Sequence, residues 1–155
     1  MSGDCVTFLG LEPRIIERLA RSGLPDDGVK ILSIADVADA TEQSLPKPSV
    51  RVAFGGYTIV QDATPLPPGW ARIEQTWLVV PAVRNVREMT TGVAARHDAS
   101  NLIDRVFDAL EGWNPGDGYG VLKAATPGYR PVALDGSLYV PLAFTSTFRR
   151  HTTCE

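Results

Sequence analysis

The sequence predicts an α+β fold, a mainly antiparallel β-sheet with two main amphipathic helices packed on it. Two stretches repeat apolar residues at three-to-four spacing, while others alternate or are rich in β-branched residues. The strands fall in adjacent pairs joined by turn-forming residues, which favours hairpins over βαβ units. The 155 residues are 44% hydrophobic, enough to build one real core. They carry no internal repeat and read as a single domain, 1–155.

The first element is a helix. Pro13 suits its opening turn, where a missing N–H costs nothing. Ile15, Ile16, Leu19 and Ala20 recur at helical spacing, and Arg14, Glu17, Arg18 and Arg21 take the other face. Gly23 and Pro25 stop it. Residues 29–34, VKILSI, form a short apolar strand. The polar stretch 35–49 ends in two prolines and reads as mostly loop. Residues 50–61 read as a strand, with Gly55-Gly56 marking a bulge or bend. A Pro-rich spacer then leads to a second strand at 71–83. There Ile73, Gln75, Trp77, Val79 and Pro81 share one face and Glu74, Thr76, Leu78 and Val80 the other. Pro81 suggests an edge or a strand end. The two strands read as a hairpin with the spacer as its loop.

Residues 84–97 lack periodicity and carry Arg84, Arg87 and Arg96 against the single Glu88. Loops this long are uncommon in compact domains and often functional. The next helix, capped by Asp98 or Ser100, bears the stripe Leu102, Ile103, Val106, Phe107, Leu110 and Trp113. Gly112 and Pro115 end it, and Asp104, Asp108 and Glu111 line its opposite side. Strands at 119–126 and 137–148 close the chain, with Leu-Asp-Gly at 134–136 as a turn. In the last strand Leu138, Val140, Leu142 and Phe144 point inward, and Tyr139, Pro141, Ala143 and Thr145 outward.

Composition narrows the function. The net charge of −3 argues against a sequence-reading nucleic-acid binder, which carries a basic footprint. No apolar run approaches the roughly 20 residues of a membrane span. The opening residues MSGDCVTF lack the basic and apolar regions of a signal peptide. Cys5 and Cys154, at opposite ends, read as plain thiols.

No active site assembles from the motifs. His97-Asp98 is the most catalytic-looking pair, suited to a small hydrolase. A metal phosphohydrolase needs further His and Asp ligands, and only His151 remains, in a tail read as frayed. Gly116, Gly118 and Gly120 follow a helix and precede a strand, the reverse of a phosphate cradle, and so read as a turn. Asp104, Asp108 and Glu111 suit a solvated helix face better than a cation site. Arg149-Arg150-His151 reads as a solvated tail. Trp70, Trp77 and Trp113 read as core or interface anchors, because no basic stripe accompanies them. The sequence thus calls for no cofactor and no metal.

Several segments together carry a resemblance. They are Trp77-Leu78-Val79-Val80-Pro81-Ala82-Val83-Arg84 on a strand and the helix Leu102–Leu110 followed by Gly112-Trp113-Asn114-Pro115. The final strand Leu142-Ala143-Phe144-Thr145-Ser146-Thr147-Phe148 and the opening helix complete the set. The chain resembles the tail terminator proteins of long-tailed bacteriophages. The resemblance implies a structural virion protein of the tail and neck, assembled in the host cytoplasm, with no catalytic residues. It implies a homo-hexameric ring that caps the tail tube, ends its polymerisation and joins the head connector. Its partners would be the tail tube protein and the head-tail connector protein, with genomic DNA passing the lumen without specific binding. A different neck ring, a head-completion or tube protein, is the nearest alternative.

A ring protomer needs separate surfaces for its neighbours, the tube, the head and the lumen. Residues 50–97 hold three acids and five bases, whereas residues 98–155 hold seven and five. This separation suits complementary contacts between subunits. The candidate assembly residues are therefore Arg84, Arg87, Glu88 and Arg96 around the loop and Asp104, Asp108 and Glu111 on the helix.

Overall fold

A computed structural model describes residues 6–33, 48–61, 63–84, 93–134 and 136–152, with only the backbone described at 93–98 and 134. Helix α1 spans Leu11–Ala20 and buries Leu11, Ile15 and Leu19; of the stripe expected from its spacing Ile15 and Leu19 are buried, Ile16 is half-buried and Ala20 is exposed. A single 3₁₀ turn, Pro25–Asp27, leads to strand β1 (Lys30–Ser33). Strand β2 (Ser49–Ile59) and strand β3 (Trp70–Arg84) form the expected antiparallel hairpin. Their register slips between Phe54 and Tyr57, at the glycine pair. Gly56 sits there at a φ of +104°, a conformation that side chains resist, so the bulge is fixed by residue type.

The sheet is mixed, with mostly antiparallel strands. The exception is β1, which runs parallel to β2 from Lys30↔Ser49 to Ser33↔Val52. Strand β3 is central. Beyond it lie β7 (Leu142–His151), paired with Trp70–Val79, and β6 (Ser137–Tyr139), paired with Ala82–Arg84. The strand expected at 137–148 is therefore two strands, broken at Val140-Pro141. Pro81 occupies an interior strand rather than an edge. It faces this break, where the Val140 N–H donates to its carbonyl at 3.1 Å, so the donor that proline lacks interrupts no ladder.

Two short strands complete the sheet. Strand β4 (Lys123–Ala125) pairs with β7, and β5 (Val132–Leu134) pairs with β6, so that Leu134, expected in a turn, stands in a strand opposite Ser137. The strand expected at 119–126 shrinks to Lys123–Ala125. Leu122 is instead tied to the end of the helix by two backbone bonds, Gly112 N–H to Leu122 O and Leu122 N–H to Trp113 O. Before it, Asp117 (φ +53°) and Gly118 (φ +93°) form the centre of a tight turn from Gly116 to Tyr119, the turn expected of the glycine run. Gly120 serves space rather than φ: a Cβ there would stand 2.1 Å from the Thr147 carbonyl oxygen.

Helix α2 spans Val93–Leu110. It begins earlier than expected, so residues 93–97 are helical rather than loop, and Asp98 and Ser100 lie inside the helix instead of capping it. Ala94 and Ala95 are strong helix formers that carry no amphipathic signal.

Both helices contribute to one buried cluster. Leu11, Ile15 and Leu19 of α1 and Leu102, Val106 and Leu110 of α2 meet Val50, Val52, Trp77, Val79, Phe144 and Phe148 of the sheet. The register aligns Phe54, Trp77 and Phe144 in one row across β2, β3 and β7. Trp77 and Phe144 are fully buried. Ala143, expected to face outward into solvent, is buried, in register between Leu78 and Ala125.

Candidate assembly surfaces

The expected interface residues do not form two opposed elements. Arg84 ends β3 and is exposed. Arg87 and Glu88 lie outside the described residues, as do Cys5, Cys154 and residues 35–47 of the expected loop. Arg96 belongs to α2 itself, the helix that carries Asp104 and Asp108. Those two acids are exposed. Glu111, just past the helix end, accepts a hydrogen bond from the Ala124 N–H at 2.5 Å, so one third of the expected acidic stripe anchors β4. His97 and Asp98 also lie on α2. Among the described residues, no three His, Cys, Asp or Glu side chains cluster to hold a metal ion. Nor, among the described residues, is any helix long and apolar enough to cross a membrane.

The polar face of α1 holds a network that the sequence did not announce. Arg14, Glu17, Arg18, Arg21, Trp113 and Pro115 line a shallow groove. The Arg14 guanidinium donates to the Pro115 carbonyl at 3.0 Å and pairs with Asp117. Arg18 Nε donates to the Ala109 carbonyl at 2.9 Å, and its guanidinium lies over the Trp113 ring at 5.6 Å. Carbonyls in the last turn of a helix have no intrahelical partner, so Arg18 caps α2 while packing on its terminal aromatic. Arg21 pairs with Glu17 at 2.5 Å, and Arg105 of α2 pairs with Asp27 at 2.6 Å. Arg14, Arg18 and Arg105 thus link helices and turns, whereas the Arg21–Glu17 pair stays within α1 and its C-cap.

The other surface lies at the far end of the sheet. At about 3.3 Å per residue, the 15 residues of β3 extend for roughly 45–50 Å. Arg84 stands at one end and the β2–β3 turn at the other. Around that turn Tyr57, Ile59 and Trp70 are 54%, 51% and 44% exposed. A shallow groove there is lined by Ile59, Val60, Pro65, Leu66 and Trp70 among others. Trp70 packs on His151, with ring centroids 4.6 Å apart. Arg149, Arg150 and His151 are thus not a frayed tail: they form the end of β7, opposite Arg72, Ala71 and Trp70. Of the three tryptophans, Trp77 is core, Trp113 is half-buried beside Arg18 and Trp70 is exposed. The sequence signal for this surface is the β-forming run Tyr57-Thr58-Ile59-Val60 beyond the glycine bulge.

A family model described as phage tail terminator protein matches residues 11–153. No curated protein matches the chain. The matched span takes in both helices and every strand named above.

Proposed function

The chain belongs to the phage tail terminator family, and on that premise we propose that it closes into a hexameric ring on the finished tail tube. The ring ends tube polymerisation and presents the surface that the head connector joins. The family is one of structural virion proteins of the phage tail, not a known enzyme family. The observation that carries the reading is the match over residues 11–153, which leaves out only the two ends of the chain.

Two features of the molecule support it. The long β3 separates two ends, so one end can meet the tube while the other meets the head. The exposed apolar residues at the β2–β3 end and the charged residues Arg84, Asp104 and Asp108 are separate surfaces, and a ring protomer needs several. Contacts made by different surfaces on successive copies close a ring when the rotation between copies permits. Assembly takes place in the host cytoplasm, the tube protein and the connector protein are the partners, and DNA crosses the lumen without specific contacts.

The test is genetic and visual. Infection with a phage lacking this gene yields tubes of uncontrolled length that fail to join heads. Purified protein added to tubes gives sixfold rings at one tube end by negative-stain microscopy. Tails of normal length that join heads in the mutant infection would exclude the role.

A further inference from the structure

Arg150, on β7, is a cation that the fold packs but does not pair. Its Nε is shut off from solvent and has no hydrogen-bond partner. Its guanidinium lies 5.6 Å from the centre of the Phe8 ring. Among the described residues it forms no ion pair. A buried donor left unsatisfied carries its full desolvation cost, so such a group asks for a partner from elsewhere.

Its surroundings are held in place. The Phe8 carbonyl accepts from Gln75 Nε2 at 2.6 Å, and the Phe8 ring meets Tyr57 edge-on with centroids 5.4 Å apart. Tyr57 stands opposite Gln75 and Arg150 opposite Ala71, so both lie on the sheet face that carries Trp77. Tyr57, Phe8 and Arg150 thus make a row across this end of the sheet, with Ile59 beside it. Tyr57 and Ile59 are 54% and 51% exposed. Tyrosine and arginine on a rigid support are the residue types that dominate interface energies.

A surface of the opposite character lies on α2. Asp104, Phe107 and Asp108 follow at i, i+3 and i+4 and so share one helical face. All three are exposed, Phe107 by 40%. Neither aspartate forms an ion pair among the described residues. Among those residues, Phe107 is the one large exposed apolar side chain set between two carboxylates on a helix.

We propose that the Tyr57–Phe8–Arg150 row receives the Asp104–Phe107–Asp108 face of a second copy of this chain. This rests on the ring reading above and deepens it, by naming the two surfaces through which one protomer meets the next. The carboxylates supply the acceptors that the Arg150 guanidinium lacks, and Phe107 covers Tyr57 and Ile59. Cation with aromatic meets anion with aromatic, so the charges fix the register of the two surfaces. The surfaces sit on different elements of one chain. Each copy therefore gives one and receives the other, the heterologous arrangement that closes a ring. Arg84 stands at the other end of β3, so one acidic face cannot serve both arginines.

Paired cysteines in finished tails test this and leave every charge in place. In a Cys5→Ser, Cys154→Ser background, Tyr57→Cys combined with Phe107→Cys is treated with a short bis-maleimide. The expected result is a ladder of linked chains up to the hexamer on a denaturing gel, with each single cysteine giving monomer only. Dimers from Tyr57→Cys alone would overturn the proposal, because the row would then meet its own copy. Rings by microscopy without a ladder would overturn this contact while leaving the ring reading intact. Tails that join heads but carry no ring would overturn both. A second variant, Arg150→Met, keeps the apolar stem on Phe8 and removes the orphaned donor. It is expected to fold with a thermal midpoint at or above that of wild type and to lose the ladder. A midpoint well below wild type would make Arg150 a support of its own chain and overturn the proposal, as would an undiminished ladder. Reversal, Arg150→Glu, is expected to lose joined tails, and Asp104→Lys with Asp108→Lys to restore them. Restoration by those lysines of a chain reversed at Arg84, but not of one reversed at Arg150, would also overturn it.

Discussion

Gln75 is a fully buried polar side chain set into the apolar row of β3, between Ile73 and Trp77. Its Nε2 donates to the Phe8 carbonyl at 2.6 Å, and its Oε1 accepts from Trp77 Nε1 at 3.2 Å. One amide thus fastens the segment before α1 to the sheet and satisfies the buried indole. Gln75→Leu keeps the volume but orphans both partners, each at a cost of about 1–3 kcal/mol when buried. The denaturant midpoint is expected to fall accordingly, and a midpoint equal to wild type would show that water replaces the amide at both partners. Alternation along 71–83 was enough to place Gln75 on the row of Trp77. Its partner was not legible, because Phe8 lies 67 residues away and only tertiary packing brings it near. The same holds for Arg18, readable as a polar-face residue of α1 but not as the cap of another helix.

Among the elements, those with a strong internal period were the legible ones. The apolar rows Ile15 and Leu19 of α1 and Leu102, Val106 and Leu110 of α2, the alternation of β3 and the Gly55-Gly56 bulge stand where local chemistry puts them, whereas Ala20 and Phe107, expected on those rows, are exposed. Partner choice was not readable. Nothing in VKILSI distinguishes a parallel neighbour of β2 from an antiparallel one, and the break at Val140-Pro141 shows only against Pro81 of the facing strand. Helix α2 illustrates both sides. Its first turns were hidden because Ala94 and Ala95 have propensity without period, while its later turns bury Leu102, Val106 and Leu110. Leu110 is wholly inaccessible, in the same cluster as Trp77 and Phe144. Leu110→Ala is expected to cost about 2–5 kcal/mol, read from chemical denaturation, because the side chain's contacts are lost and the site collapses only in part. A loss below 1 kcal/mol would mean that the helix end is loosely packed and tolerates the void.

At the scale of the whole molecule, the family was legible because strand, helix and Gly-Trp-Asn-Pro turn occur in one order, whereas the candidate surfaces were only partly so. Charge counting singled out Arg84, Asp104 and Asp108, which are exposed. It could not foresee that Arg96 shares α2 with the acids or that Glu111 holds β4. Nor could it find the exposed end of the β2–β3 hairpin, because an apolar residue in a strand reads alike whether a helix covers it or not. In the proposed ring these charges bear on assembly. Each exposed ion pair between protomers contributes only about 0–1 kcal/mol. Repetition around a closed ring multiplies that small amount, and salt screens it over a distance of about 10 Å at 0.1 M. Ring formation is therefore expected to weaken as salt rises. Reversing the cations, Arg84→Glu with Arg87→Glu, should lower the yield of joined tails in a complementation assay without shifting the thermal midpoint of the free protein. Adding Asp104→Lys and Asp108→Lys to the same chain should restore the yield if the basic end of β3 meets the acidic face of α2 on the neighbouring copy. Failure to restore, with a yield still low, would place the partner of Arg84 on the tube or connector protein. A wild-type yield from the Arg→Glu variant would show that neither cation takes part in assembly.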